Sequence, residues 1–361
     1  MKRSRPFLEI SHDDEASIIS AARDTQPVCG LTHNFYRYPA RFSPAFVRAA
    51  IEALSSPGDL ILDPFMGGGT SLVEAIAAGR NAVGADISQL ASFVTSVKTT
   101  LLKESELSAL TTWSEKIPKI VNIRRQAIYF DEYANAGYYK HLDGPRWRLR
   151  KAIELALASA IGLHSQKLED FARGVVLRTA QWALDSRKHL PSVSDFRREL
   201  VVNAADMISG ARALRKAVYH YGRKPVVHCF NRSTVGLESE PVLATIGTPK
   251  LIVTSPPYPG VHILYHRWQV DGRKETPAPF WIANKLDGAG SSYYTMGDRK
   301  HPGLATYFAT IEATMSSVAK LADMTVLGHQ SSKVTTRHYN QAKMIDAVRA
   351  YQEVLLAEPQ D

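Results

Sequence analysis

Apolar residues in AFVRAAIEAL (Ala45–Leu54) recur at helical spacing directly behind Pro44, a residue suited to the first position of a helix. After the Pro57-Gly58 turn, DLILD (Asp59–Asp63) reads as a buried strand. The apolar run then breaks at PFMGGGTS, and SLVEAIAAG (Ser71–Gly79) predicts a helix closed by its glycine. NAVGADIS (Asn81–Ser88) predicts a second strand ending on Asp86. Strand, glycine turn, helix and strand in this order form a βαβ unit with parallel strands.

Farther along, the periodicity changes. Residues up to about Gly30 form a polar lead-in, and from about Leu102 to Lys224 the pattern is mostly helical, as in WRLRKAIELALASAIGL and DFARGVVLRTAQWAL. Strand patterns return at KPVVHCF (Lys224–Phe230) and at PKLIVT, just before Ser255. Val261 to Gly303 is rich in aromatic residues, Gly and Pro and is expected to be a long ordered loop, followed by a helix over Thr306–Ala322. The expected organisation is therefore an α/β sheet interrupted by a helical block.

Composition adds limits. The 361 residues suffice for a large core, and there is neither a low-complexity tract nor an internal repeat. Two cysteines, Cys29 and Cys229, make no disulfide framework and no metal-ligand spacing, which suits a reducing cytoplasm. No apolar run approaches the roughly 18 residues that span a bilayer, and MKRSRPFLEISHDDE has no apolar segment behind its basic residues. The expected setting is cytoplasmic, away from any membrane. The formal net charge is +9, and Lys140–Lys224 alone holds seventeen Lys and Arg against eight Asp and Glu. A concentrated basic region attracts polyanions such as nucleic acid; a solvated helical surface is the alternative.

The glycine turn narrows the chemistry. DPFMGGGT is neither the dinucleotide fingerprint nor a phosphate-binding NTPase loop. Asp63, at the end of the first strand, would set a negative charge beside a pyrophosphate but suits an ammonium group. Asp86 ends the second strand, where such folds bind ribose hydroxyls. An adenosine with an amino-acid tail satisfies both, and S-adenosylmethionine is that molecule; a purely structural turn is the alternative.

With LDPFMGGGTSLVEA, then GADIS, then TSPPY in this order, the chain resembles the DNA amino-methyltransferases. YRYPARFSPAFVRAAI (Tyr36–Ile51) is similar to that family's other cofactor-side segment. The resemblance implies a Rossmann-like sheet with S-adenosylmethionine held by Tyr38, Phe42, Asp63, Phe65, Gly67, Gly69, Thr70 and Asp86. It also implies double-stranded DNA as substrate and a restriction nuclease or other defence-system component as partner. The expected divisions are 1–100 and 236–322 for the two halves of the methyltransferase domain, with 101–235 as a basic, target-recognising helical part.

In TSPPYPG (Thr254–Gly260) two prolines end the strand and stiffen an elbow. An exocyclic amino nitrogen is a poor nucleophile because its lone pair is delocalised into the ring. By the family's pattern, Ser255 and the Pro256 carbonyl accept its hydrogens, Pro257 fixes the elbow, and Tyr258 stacks on a base flipped out of the duplex. Serine at the first position is commoner among family members acting on cytosine N4 than on adenine N6, so N4 is preferred. C5 methylation fits poorly, since it needs a cysteine nucleophile at a Pro-Cys turn.

Other candidates are weaker. His262 and His266 lack a third ligand, so no metal is expected; Arg267, Arg273 and Lys274 suit phosphates or a solvated loop. Trp113, Trp147 and Trp182 are expected in the core. From about Asp323 the chain leaves the methylase pattern: Leu327–Leu355 resembles the end of a tyrosine recombinase, with Tyr339 at the nucleophile position and His329 in Leu-Gly-His. This implies a sheet truncated at its C-terminal strands, and an inactive DNA-binding fusion is the alternative to an active enzyme.

Overall fold

The computed structural model describes residues 10–38, 41–126, 130–257, 267–270, 272, 274–286, 305–321 and 325–327. The polar lead-in contains a helix, α1 (His12–Arg23), whose first turn is capped by Ser11 and carries three acids; it buries none of its side chains. Capping and charge at the positive helix end account for it where hydrophobic periodicity is absent. Then follow α2 (Pro44–Leu54), β1 (Leu60–Asp63), α3 (Thr70–Ala77), β2 (Asn81–Asp86) and α4 (Gln89–Thr99).

The helical block comprises α5 (Glu104–Ile120), α6 (Asp131–Asn135), α7 (Trp147–Ile161), α8 (Gln166–Leu184) and α9 (Val193–Tyr219). Beyond it lie β3 (Val227–Asn231), α10 (Pro241–Ile246) and β4 (Leu251–Thr254). The expected loop holds an antiparallel hairpin, β5 (Trp268–Val270) and β6 (Lys274–Thr276), and a short helix, α11 (Ala278–Ile282). Trp268, Phe280 and Trp281 are fully buried, so the described part of this stretch belongs to the core; the rest of the expected loop lies outside the described residues. α12 (Ala305–Ala319) and β7 (Thr325–Leu327) complete the described chain.

Five strands form a parallel sheet in the order β3-β2-β1-β4-β7. Alternation along the strands decides the layers. Ile61, Leu251 and Val253 join the cluster under α2, α3 and the end of α9. Leu60, Leu62 and Ile252 join the opposite cluster, with Leu243 of α10 and Val318 of α12. Pairing of Thr254 with Leu327 gives β4 a neighbour on its far side. The strand that carries the elbow therefore has a partner on each side.

The helical block shares its core with the rest of the molecule. Leu107, Trp113, Ile153, Val176 and Leu200 belong to one continuous cluster with Tyr36, Tyr38, Phe93, Trp268 and Trp281. The end of α8 is the joint. Gln181 exchanges two hydrogen bonds with the Arg37 backbone, at 3.1 and 3.0 Å, and Asp185 pairs with the Arg37 guanidinium at 3.1 Å. Asp185 also accepts from the Gln269 amide at 3.1 Å, and the Ser186 amide donates to the Gln269 carbonyl at 2.7 Å.

Candidate functional site

Parallel α/β sheets bind ligands outside the carboxyl ends of their strands, where the strand order reverses. Here β1 runs to β2 on one side and to β4 on the other, and three expected site residues sit at those ends: Asp63, Asp86 and Ser255. Thr254 Oγ1 donates to Asp63 Oδ1 at 2.7 Å, joining the first strand to the elbow. Ser255 and Pro257 are half-buried and Pro256 is buried. Tyr258, His262, His266, Arg273, His329 and Tyr339 lie outside the described residues.

The glycine turn is built by close approach. Gly69 caps α3 with φ +75°, and a Cβ there would stand 2.6 Å from Thr95 Oγ1. A Cβ on Gly68 would meet the Tyr38 ring at 2.8 Å. Only glycine meets both the left-handed backbone and the contact. The Gly67 amide donates to Asp86 Oδ2 at 3.0 Å, and the Ser88 amide to Asp86 Oδ1 at 2.8 Å.

Behind the turn, α4 supplies two donors at i and i+3. Thr95 Oγ1 bonds the Gly67 carbonyl at 3.1 Å and Lys98 Nζ the Gly68 carbonyl at 2.7 Å. Lys98 is 1% exposed, and burial, with the nearby Arg41 charge, brings its ammonium down to about 7. Sequence reading missed this lysine, because its position on α4 carries no mark of the turn it reaches.

The two carboxyls share an unusual electrostatic setting. Burial pushes Asp63 up to about 6, opposed by the nearby Ser71 hydroxyl and by the hydrogen bonds from Thr254 and the Phe65 amide. Burial likewise pushes Asp86 up to about 6, opposed by the Ser88 and Gly67 amides and reinforced by the charge on Asp63. Among the described residues, none of the groups acting on either carboxyl is a cation.

The remaining expected residues divide. Tyr38 is buried against the glycine turn, and Thr70 is the buried first residue of α3. Phe65 is half-buried and packs on Tyr307, Ile311 and Met315 around α12. Phe42 enters the cluster under α2 and α3, with its ring 5.7 Å from that of Phe46. Of the tryptophans expected inside, Trp113 is buried with its indole on Ser159, and Trp182 is half-buried under Arg187. Trp147, the first residue of α7, is 42% exposed beneath the Arg148 guanidinium, while Leu149 in the same turn is buried.

A second buried network anchors the segment before the turn. His33 Nε2 and Glu74 Oε1 are 2.5 Å apart, and Arg48 Nε donates to Glu74 Oε2 at 2.6 Å. Burial alone would raise Glu74, but His33 and Arg48 hold its carboxyl below the usual range. Among the described residues no cluster of His, Cys, Asp and Glu could hold a metal ion, and no helix is long and apolar enough to cross a membrane.

Comparison with known proteins places these features. The DNA methylase family profile matches residues 15–92. The chain is 41% identical to the type II methyltransferase M.MvaI of Kocuria varians over 81 residues, 22% of this chain and 18% of that protein. It is 38% identical over 66 residues to the type II methyltransferase M.MjaII of Methanocaldococcus jannaschii, 18% of this chain and 12% of that protein. A third relative, the type II methyltransferase M.BsoBI of Geobacillus stearothermophilus, is 46% identical over 56 residues, 15% of this chain and 11% of that protein. The chain thus matches less than a fifth of the length of each of these relatives. Asp63, the glycine turn and Asp86 lie within the stretch that matches the DNA methylase profile.

Proposed function

We propose that this protein transfers a methyl group from S-adenosylmethionine to an exocyclic amino group of a DNA base, cytosine N4 in preference to adenine N6. The observation that carries the reading is the pair of carboxyls at adjacent strand ends, both raised to about 6 and neither facing a cation among the described residues that act on it. Such a pair suits a ligand that brings positive charge and hydroxyl donors together. The glycine turn Gly67–Gly69 packs tightly on Tyr38 and Thr95 and is braced by Lys98, which holds its backbone in place beside that ligand.

In this reading Asp63 accepts from the ammonium of the amino-acid tail and Asp86 from the ribose hydroxyls. Phe65 and Thr70 flank the turn, and Tyr38 covers it; Phe42 supports that wall from the core. When bound, the cofactor supplies an electrophilic methyl on a sulfonium. Ser255 Oγ and the Pro256 carbonyl accept the hydrogens of the target NH₂ and hold its lone pair toward that methyl. Pro257 fixes the carbonyl direction, and Tyr258 stacks on the flipped base. The basic helical block meets DNA phosphates, and the chain works in the cytoplasm.

The test is mass spectrometry of nucleosides from unmethylated DNA incubated with pure protein and S-adenosylmethionine. An N4-methylcytosine peak that vanishes in a Ser255→Ala/Tyr258→Ala double variant establishes the reaction and the base. N6-methyladenine would keep the mechanism and overturn the base. Absence of both from folded, cofactor-binding protein over varied DNA would overturn the activity.

A further inference from the structure

Thr254 has no role in the chemistry above, yet its side chain is fully buried and its hydroxyl is spent on a carboxylate rather than on the backbone. Its position explains the choice. β1 and β4 are paired in parallel through Ile61 with Leu251 and Leu62 with Ile252, so both strands end side by side. Thr254 is the last residue of β4, is paired on its far side to Leu327, and is followed at once by Ser255 and Pro256. Asp63 is the last residue of β1, and its Oδ1 accepts from both Thr254 Oγ1, at 2.7 Å, and the Phe65 amide, at 3.1 Å.

We infer that Thr254 is a positioning residue that fixes the Asp63 carboxylate and fastens the elbow to the cofactor strand, so that carboxylate and elbow move as one unit. The inference rests on the reading of Asp63 as the acceptor of a cationic ligand. A hydroxyl donating to a carboxylate is a charge-assisted bond, which holds direction as well as distance. It favours the ionised form that a cation requires. The other groups facing Asp63 among the described residues are Ser71 on α3, the Phe65 amide, and Asp86 on β2, whose charge interacts with it. Of these, Thr254 alone connects to the elbow.

Thr254→Val keeps the shape and removes the hydroxyl, Thr254→Ser keeps the hydroxyl, and Thr254→Ala is the second deletion should the valine variant fail to fold. The experiment is calorimetric titration of S-adenosylmethionine into each full-length protein from pH 5 to 8, beside thermal unfolding. In wild-type protein affinity rises with pH as Asp63 and Asp86 ionise. Loss of the hydroxyl is expected to move that midpoint upward by about one pH unit, so binding is roughly fivefold weaker near pH 6, approaches tenfold weaker at pH 5 and recovers toward pH 8. Thr254→Ser is expected to return the wild-type profile. An unchanged midpoint in the folded deletion variants, or an equal loss at every pH, overturns the inference. Failure of wild-type protein to bind at any pH overturns instead the cofactor reading beneath it.

Discussion

Trp268 donates its indole N–H to the Tyr36 hydroxyl at 2.9 Å, tying the hairpin that follows the elbow to the segment that precedes the glycine turn. Both side chains are buried, and burial holds the Tyr36 phenol well above its ordinary range. Tyr36→Phe strands a buried indole donor. It is expected to lower stability by about 1–3 kcal/mol in urea unfolding, while the reverse truncation Trp268→Ala costs about 3–5 kcal/mol.

Gly69→Ala combines backbone strain at φ +75° with a Cβ 2.6 Å from Thr95. Gly137 has φ +81° and no heavy atom within 4 Å of its Cβ position, so Gly137→Ala measures strain alone. Both variants are expected to lose about 1–3 kcal/mol from the backbone. Only Gly69→Ala should also weaken S-adenosylmethionine binding, as read by calorimetry.

Removing Glu74 leaves His33 and Arg48 without their shared acceptor in a buried place. Glu74→Ala is expected to cost about 3–5 kcal/mol of stability at pH 7. The Glu74 carboxyl is held low in the folded chain, so its contribution is present above the ordinary glutamate range and is lost as pH falls through the folded value. The wild-type advantage over the variant should therefore shrink in acid, measured as the difference in urea midpoints.

Asp63 and Asp86 act in the opposite sense. Each is raised from 3.8 to about 6, so between about pH 4 and pH 6 the folded chain holds protons that the unfolded chain has released. Their contribution to the stability of the ligand-free protein falls as pH rises through this window. A cationic ligand reverses the balance, so the thermal shift produced by S-adenosylmethionine should grow with pH through the same window. Asp63→Asn should reduce both trends and leave the part that Asp86 contributes.

Lys98 gives a third signature. Its folded value near 7 lies below the ordinary 10.5, so the unfolded chain holds the extra proton between those limits. Stability from this group therefore rises with pH from about 7 to 10, and Lys98→Met should remove that slope from thermal unfolding curves.

The elements around the turn were legible because each carries a local signal. Pro44 starts α2, the glycines mark the turn between β1 and α3, and Asp63 and Asp86 mark strand ends. β5 and β6 were illegible for the opposite reason: three residues each, they hold shape through Trp268 on Tyr36 and Gln269 on Asp185 and Ser186. Burial of Lys98 and His33 is also a tertiary fact, since neither neighbouring sequence announces a carbonyl or a carboxylate waiting across the core. Trp147 shows the converse, a large apolar residue exposed at the start of a helix.

The joint at the end of α8 bears on how such a molecule could be rebuilt. Cuts at 101 and 235 would look like clean module borders on a linear map. In space they would strand Arg37 and Gln269, whose partners Gln181, Asp185 and Ser186 all depart with the excised piece. A graft of new target preference onto this scaffold would have to carry its own match for both segments. A helical block exchanged into this scaffold would need the same three partners at the end of its α8.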